Sequence, residues 1–162
     1  MPHSGSLHPN THLSMSKIQK ITPYLWYDDQ AKAAAEFYCS LFEHSQILSA
    51  GEMIVEFELE GLKFVALNGG PKFKFTEATS FMVRCADQQE VDRLWAALTT
   101  DGGQESQCGW CKDKFGLSWQ IVPQRFLEMM ETGTPEQTQR VMQVMMPMKK
   151  MIVAEFEEAF SS

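Results

Sequence analysis

The side chains through which this chain could do chemistry are few: the pair Cys108 and Cys111, Arg84 set in an apolar segment, and the alternating acids Glu56 and Glu58. A Cys-x-x-Cys pair becomes reactive at a helix N-terminus that follows a strand, because that setting lowers the thiol pKa. A structural zinc asks for two further ligands. Here the pair lies in a segment that reads as a strand feeding a turn, and Cys39 and Cys85 stand alone on other elements, so buried thiols are expected. The guanidinium of Arg84 suits a carboxylate or phosphate, or an ion pair with Glu56 or Glu58 on neighbouring strands. Glu56 is a general-base candidate only where it is desolvated. His3, His8 and His12 fall in a tail without fixed geometry. That leaves His44, so histidine-based acid–base, metal or triad chemistry has almost no material.

These groups need elements to hold them. The run from Cys108 to Pro123 reads as a strand, a turn at Asp113 to Gly116 and a second strand. In that second strand Leu117, Trp119 and Ile121 project one way, and Ser118 and Gln120 the other. Upstream, a strand is expected from Ile18 to about Tyr27, then a helix from Gln30 to Phe42 capped by Asp28-Asp29 and striped with Ala34, Phe37, Tyr38 and Leu41. Strands follow near Gln46 to Leu48, from Met53 to Leu59 and from Leu62 to Leu67, with a tight Glu60-Gly61 turn before the last.

The pattern then repeats. A strand from Ser80 to Ala86 leads to Asp87, which can cap a helix with Glu90 three residues on. The stripe Val91, Leu94, Trp95 and Leu98 stands 57 positions after Ala34, Phe37, Tyr38 and Leu41. A constant offset is the mark of a duplicated β-α-β-β-β unit. Each unit covers half a sheet with its own helix, so the uncovered faces must meet or stay exposed, and a curved sheet around a cleft is expected. Parity places Tyr24, Trp26, Ser80, Met82, Arg84, Ser118 and Gln120 on the cleft side. The segment from Asn68 to Phe75 reads as a lid over that cleft or as a linker whose aromatics pack on its rim. Beyond Pro123 the chain turns helical. Thr134 and Gln137 form a capping box, Pro135 takes the first helical position, and Pro147 separates a last helix ending near Phe160. The domain division expected is a disordered tail at 1–16, a domain at 17–123 built of modules 17–70 and 78–123, and C-terminal helices at 124–162. Met15-Ser16-Lys17 reads as a natural start, with the preceding stretch a leader or the result of an upstream start codon.

The chain has 162 residues, of which 44% are hydrophobic and 22% charged, enough apolar material for one core. A formal net charge of −7 repels phosphate backbones and anionic lipid, which argues against nucleic-acid and membrane partners. Four cysteines in a chain this long make no disulfide scaffold, and no stretch approaches the roughly 20 apolar residues of a bilayer span, so a cytoplasmic protein is expected.

Four stretches together resemble the PhnB-like branch of the glyoxalase/bleomycin-resistance, or vicinal-oxygen-chelate, superfamily. They are Ile21-Thr22-Pro23-Tyr24-Leu25-Trp26-Tyr27, Ala66-Leu67-Asn68-Gly69-Gly70-Pro71, Glu90-Val91-Asp92-Arg93-Leu94-Trp95, and Cys108-Gly109-Trp110 running to Gly116-Leu117-Ser118-Trp119-Gln120. The resemblance implies paired βαβββ modules in an α+β fold and a homodimer, and many members carry the label 3-demethylubiquinone-9 3-methyltransferase. Metalloenzymes of the superfamily place His or Glu at four cleft positions. On this chain those positions fall near Thr22 or Pro23, Ala66 or Asn68, Ser80 or Phe81, and Gln120, none of which offers an imidazole or carboxylate, so no metal and no cofactor are expected.

The leading expectation is a metal-independent protein that binds a small molecule. Tyr24, Trp26, Phe75 and Trp110 would wall the cleft, Asn68, Ser80, Cys108 and Gln120 would orient the ligand, and Arg84 would read its charge. The alternatives are an enzyme working through Glu56 or an unusual metal arrangement, such as an isomerase, lyase or dioxygenase, a methyltransferase by family label only, and an interaction module in which the Met-rich tail matters most.

Overall fold

The computed structural model describes residues 18–162; the expected tail and His3, His8 and His12 lie outside them. Two four-stranded mixed sheets are present, one per module. Module one runs β1 (Tyr24–Tyr27), α1 (Ala31–Leu41), β2 (Ser45–Ala50), β3 (Ile54–Leu59) and β4 (Leu62–Asn68), with sheet order β1-β4-β3-β2. Module two runs β5 (Ser80–Cys85), α2 (Gln88–Thr99), β6 (Gln104–Glu105), β7 (Trp110–Lys112) and β8 (Ser118–Pro123), with the matching order β5-β8-β7-β6. In each module the first and last strands pair in parallel and the other pairs are antiparallel.

The first strand is shorter than the sequence suggests. The Pro23 carbonyl still accepts from the Val65 N–H (3.0 Å), but further upstream a side chain replaces the ladder: Gln19 donates from Nε2 to the Lys63 carbonyl (2.9 Å) and accepts from the Lys63 N–H (3.0 Å), standing in for a backbone pair. Nor does Asp28 or Asp29 cap α1. Its N-cap is Gln30, without a side-chain bond, and the free N–H of Ala31 donates instead to Asn68 Oδ1 at the far end of β4 (2.8 Å). In α2 the expected cap forms locally, with Glu90 N–H donating to Asp87 Oδ1 at 2.9 Å. The β3–β4 hairpin turns through Glu60 and Gly61, both at positive φ, as a two-residue turn requires.

Of the two arrangements open to the uncovered sheet faces, the structure takes the exposed one: the helix-lined faces come together, while the bare sheet faces point away. A single core joins Leu25, Val55, Phe57 and Tyr38 of module one to Leu94, Leu117, Trp119 and Ile121 of module two. Tyr38 meets Trp119 at 5.4 Å between ring centroids, and Phe64 meets Phe81 at 5.2 Å. On the outward faces Tyr24 is 62% exposed, Ile54 39% and Met82 48%.

After β8 come α3 (Gln124–Thr132), α4 (Pro135–Met145) and α5 (Val153–Ser161), which enclose a second core of Val122, Phe126, Met129, Val141 and Phe156. The Thr134/Gln137 capping box forms as read from the sequence. Gln88 of α2 accepts from the Val153 N–H at α5 (2.7 Å) and donates to the Met151 carbonyl (3.0 Å), supplying the cap that Ile152 cannot.

Candidate functional site

The joint between the modules begins at α1. Its stripe of small residues, Ala31, Ala34 and Ala35, lets the helix lie close on its own sheet, so Tyr38 and Leu41 reach past it. The Tyr38 hydroxyl donates to Asp113 Oδ2 at 2.7 Å, across 75 positions of sequence. Tyr27 donates in turn to the Tyr38 hydroxyl (3.0 Å). Where α1 ends, Arg93 of α2 donates from Nη1 to the free Leu41 carbonyl (3.0 Å), satisfying one of the acceptors a helix C-terminus leaves open.

Asp113 is 2% exposed at the end of β7. Besides Tyr38, it accepts from Trp119 Nε1 (2.9 Å) on Oδ2, and from the N–H groups of Phe115 (2.8 Å) and Leu117 (3.1 Å) on Oδ1. Burial raises its pKa above the ordinary carboxylate value, with the four hydrogen bonds pulling the other way. Tyr38 is driven well above its usual range, first by burial and then by the neighbouring Tyr27 and Asp113. Sequence reasoning saw Asp113 only as a turn residue. The signal available was Tyr38 on a buried stripe, since a buried phenol needs a hydrogen-bond partner.

Beside this network lies a cavity of about 470 Å³, open to solvent between the modules. Phe64, Phe81, Trp119 and Phe42 form its aromatic wall; Leu59, Leu62 and Val83 extend it, and Met82, Arg84, Glu60 and Glu90 stand at its rim. A second hollow of about 430 Å³ shares Phe42, Glu60 and Glu90 and runs toward Glu43 and Arg93. Chambers of this size accommodate drug-sized molecules, and a largely apolar lining with a few charged groups is the usual composition of such sites.

Of the residues placed on the cleft side from sequence, Met82 and Arg84 line this cavity, and Arg84 is the one candidate for charge recognition among them. It is exposed, forms no ion pair among the described residues, and lies on the sheet opposite Glu56 and Glu58, so the pairing considered for it does not form. Glu56 is exposed on the outward face and accepts from Ser49 Oγ (3.2 Å), hence it is not desolvated. Tyr24 stands on the same outward face. Trp26 is occupied by its own chain: Nε1 donates to the Gly70 carbonyl (2.8 Å), Phe73 packs edge-on at 5.0 Å, and a Cβ on Gly69 would fall 2.4 Å from the indole. Phe75 packs on Tyr27 at 5.2 Å. The segment therefore packs its aromatics on the sheet rim, one of the two readings open from sequence. Asn68 uses both ends of its amide, capping α1 and donating to the Glu52 carbonyl (2.8 Å).

On module two's outward face Gln120 donates to Ser80 Oγ (2.9 Å), with Trp110 beside it across the β7–β8 ladder. Ser118, expected on a wet face, is buried without a hydrogen-bond partner among the described residues. Cys108 directs its thiol to the carbonyls of Met145 and Met146 beneath the C-terminal helices. Cys111 points the other way into the core, and burial pushes Cys85 and Cys111 up to about 12, so neither is a ready nucleophile. No group of three or more His, Cys, Asp or Glu able to hold a metal occurs among the described residues.

The family described as 3-demethylubiquinone-9 3-methyltransferase matches residues 19–122, both modules without the C-terminal helices. The PhnB protein from Bacillus cereus is 30% identical and superposes with a TM-score of 0.60, over 65% of this chain and 99% of that one. A protein from Pseudomonas aeruginosa shares the fold at 17% identity and a TM-score of 0.54, over 65% of this chain and 98% of its own. A glyoxalase/bleomycin resistance protein from Albidiferax ferrireducens is more distant, at 15% identity and 0.48, over 63% and 95%. No curated protein matches the chain by sequence.

Proposed function

This chain belongs to the PhnB-like family described as 3-demethylubiquinone-9 3-methyltransferase, and from that membership we propose that it is a metal-independent protein binding a small amphipathic molecule between its modules. The supporting observation is the cavity of about 470 Å³, aromatic within and carrying Arg84, Glu60 and Glu90 at its mouth. An apolar or planar body would pack on Phe64, Phe81 and Trp119 with its polar end at the charged rim. The location differs from the outward cleft expected from sequence, because the open volume lies on the helix-lined side of both sheets.

The family description names a methyltransferase. We do not extend that activity to this chain: among the described residues the two mixed sheets contain no parallel doubly wound layer with a Gly-rich turn after its first strand, the usual cradle for the methyl donor S-adenosylmethionine. The free cysteines favour a reducing cytoplasm, and the acidic charge disfavours nucleic acid and anionic membrane surfaces as partners; among the described residues no helix is long and apolar enough to cross a membrane. A homodimer completes the proposal, a second copy covering the outward sheet face of module one where Tyr24 and Ile54 stand exposed.

A thermal-shift screen of metabolites and drugs tests the binding reading, since a ligand that binds only the folded state raises Tm. The hits should lose their effect in Leu62→Arg, which puts a charge on an exposed wall of the cavity. Hits that stabilise Leu62→Arg as well as the wild type would place binding elsewhere.

A further inference from the structure

We infer that Asp113 is a positioning residue for this cavity: by accepting the indole N–H of Trp119 it fixes the ring that forms the cavity wall. The inference rests on the binding reading above.

Trp119 has one polar atom, and its partner is Asp113 Oδ2 at 2.9 Å. The rest of the ring is bounded by other aromatics, Phe81 at 5.8 Å and Phe42 at 6.1 Å, all three lining the cavity. Packing alone permits an indole to tilt or shift within such an aromatic cluster; a charge-assisted hydrogen bond to a carboxylate does not, because it specifies a direction as well as a distance. The carboxylate is itself immobile, for its other oxygen is held by two backbone N–H groups of the turn that follows it. Tyr38 shares Oδ2 with Trp119, and α1 carries Tyr38. Because the turn holds the carboxylate by two backbone N–H groups, Trp119 keeps its acceptor when the Tyr38 bond is removed. Phe37, also on α1, packs on Phe115 of the same turn at 6.0 Å, a second contact that seats the helix on the turn without the Tyr38 bond.

A purely structural Asp113 would affect binding only in proportion to stability, and this is where the two roles separate. The probe is N-phenyl-1-naphthylamine, a neutral aromatic dye whose fluorescence rises in apolar cavities, titrated into full-length protein alongside thermal melts. Asp113→Asn turns an amide N–H₂ toward one of the donor pairs, and should weaken the dye Kd about tenfold or more, the scale of a lost charge-assisted bond. Tyr38→Phe removes a bond to the same oxygen but leaves that of Trp119. It should lower Tm while holding Kd within about twofold of wild type. If Asp113→Asn does not fold, replacing Trp119 by β-(3-benzothienyl)alanine deletes the N–H donor while keeping the bicyclic shape, and should weaken the dye by a similar factor. An unchanged Kd in the folded Asp113→Asn protein or in the isostere, or equal weakening in Tyr38→Phe, overturns the positioning role. Dye binding that Leu62→Arg does not reduce overturns the cavity reading itself, and this inference with it.

Discussion

Tyr38 and Trp95 stand 57 positions apart at matching places on α1 and α2, both aromatic, both buried. Trp95 donates to Glu105 inside its own module (2.8 Å), at a site where the acid also meets Lys149 in solvent. Tyr38 donates out of its module to Asp113. The caps diverge likewise: α2 is capped by Asp87 beside it, α1 by Asn68 from the last strand of its sheet. Duplication supplied two equivalent units. At these two matched places module one directs its polar contact out of the local chain, to the other module and to its own far end, whereas module two closes the equivalent contact nearby. A joint between two halves forms where one half spares a buried polar group for the other.

The comparison breaks most readily at Trp119. Truncation to Ala should cost about 3–5 kcal/mol, as for other large core aromatics, and remove a shared wall of both modules. Gln120→Ala, one residue on and on the other face, should cost under about 1.5 kcal/mol, the scale of its single hydrogen bond to Ser80. Urea denaturation measures both, and equal losses would sink the division of faces. Tyr38→Phe against Trp95→Phe sharpens the contrast between the modules. The former leaves a buried carboxylate short of a donor and should cost about 1–3 kcal/mol, while the latter releases a solvated Glu105 and should cost less. The caps should cost alike: Asn68→Ala and Asp87→Ala each about 1 kcal/mol, because the helix N–H groups are indifferent to how far along the chain their acceptor lies. A negligible loss for Asn68→Ala would mean water replaces it.

The smallest expected effect concerns pH. Burial places the folded pKa of Asp113 above that of the unfolded chain. Between the two values the folded state binds the proton more tightly, so this group adds stability as pH falls toward about 4 and none further below. The ionisable groups around it are Tyr27, Tyr38 and Cys111, with Lys114 nearby over the Phe37 and Phe115 rings; all are present in both proteins compared. The difference in unfolding free energy between wild type and Asp113→Asn should therefore widen from pH 7 toward pH 4. A gap that narrows on acidification would show that the hydrogen bonds outweigh burial.

Much of this architecture was legible beforehand because its causes are local. The alternation of Leu117, just ahead of β8, with Trp119 and Ile121 within it fixes one face, and all three are buried. The capping box at Thr134 needs only four consecutive residues. The stripes on α1 and α2 follow from helical period. Less of the candidate site was legible. Arg84 reached the cavity rim, but Phe42, Leu62 and Phe64 gave no sign, since an apolar residue in a core and one in a cavity wall look the same along the chain.

Sequence by itself determined the strands, the helices, the duplication and which side of each strand is apolar, because hydrophobic period and capping act over a few residues. Only the tertiary structure decided that the helix-lined faces meet, that Asn68 caps α1 rather than facing a ligand, and that Asp113 lies beneath Tyr38 and Trp119. Each of those contacts joins residues that are adjacent only once both modules have closed, and a carboxylate becomes a buried acceptor for four donors only when the surrounding chain has brought the donors to it.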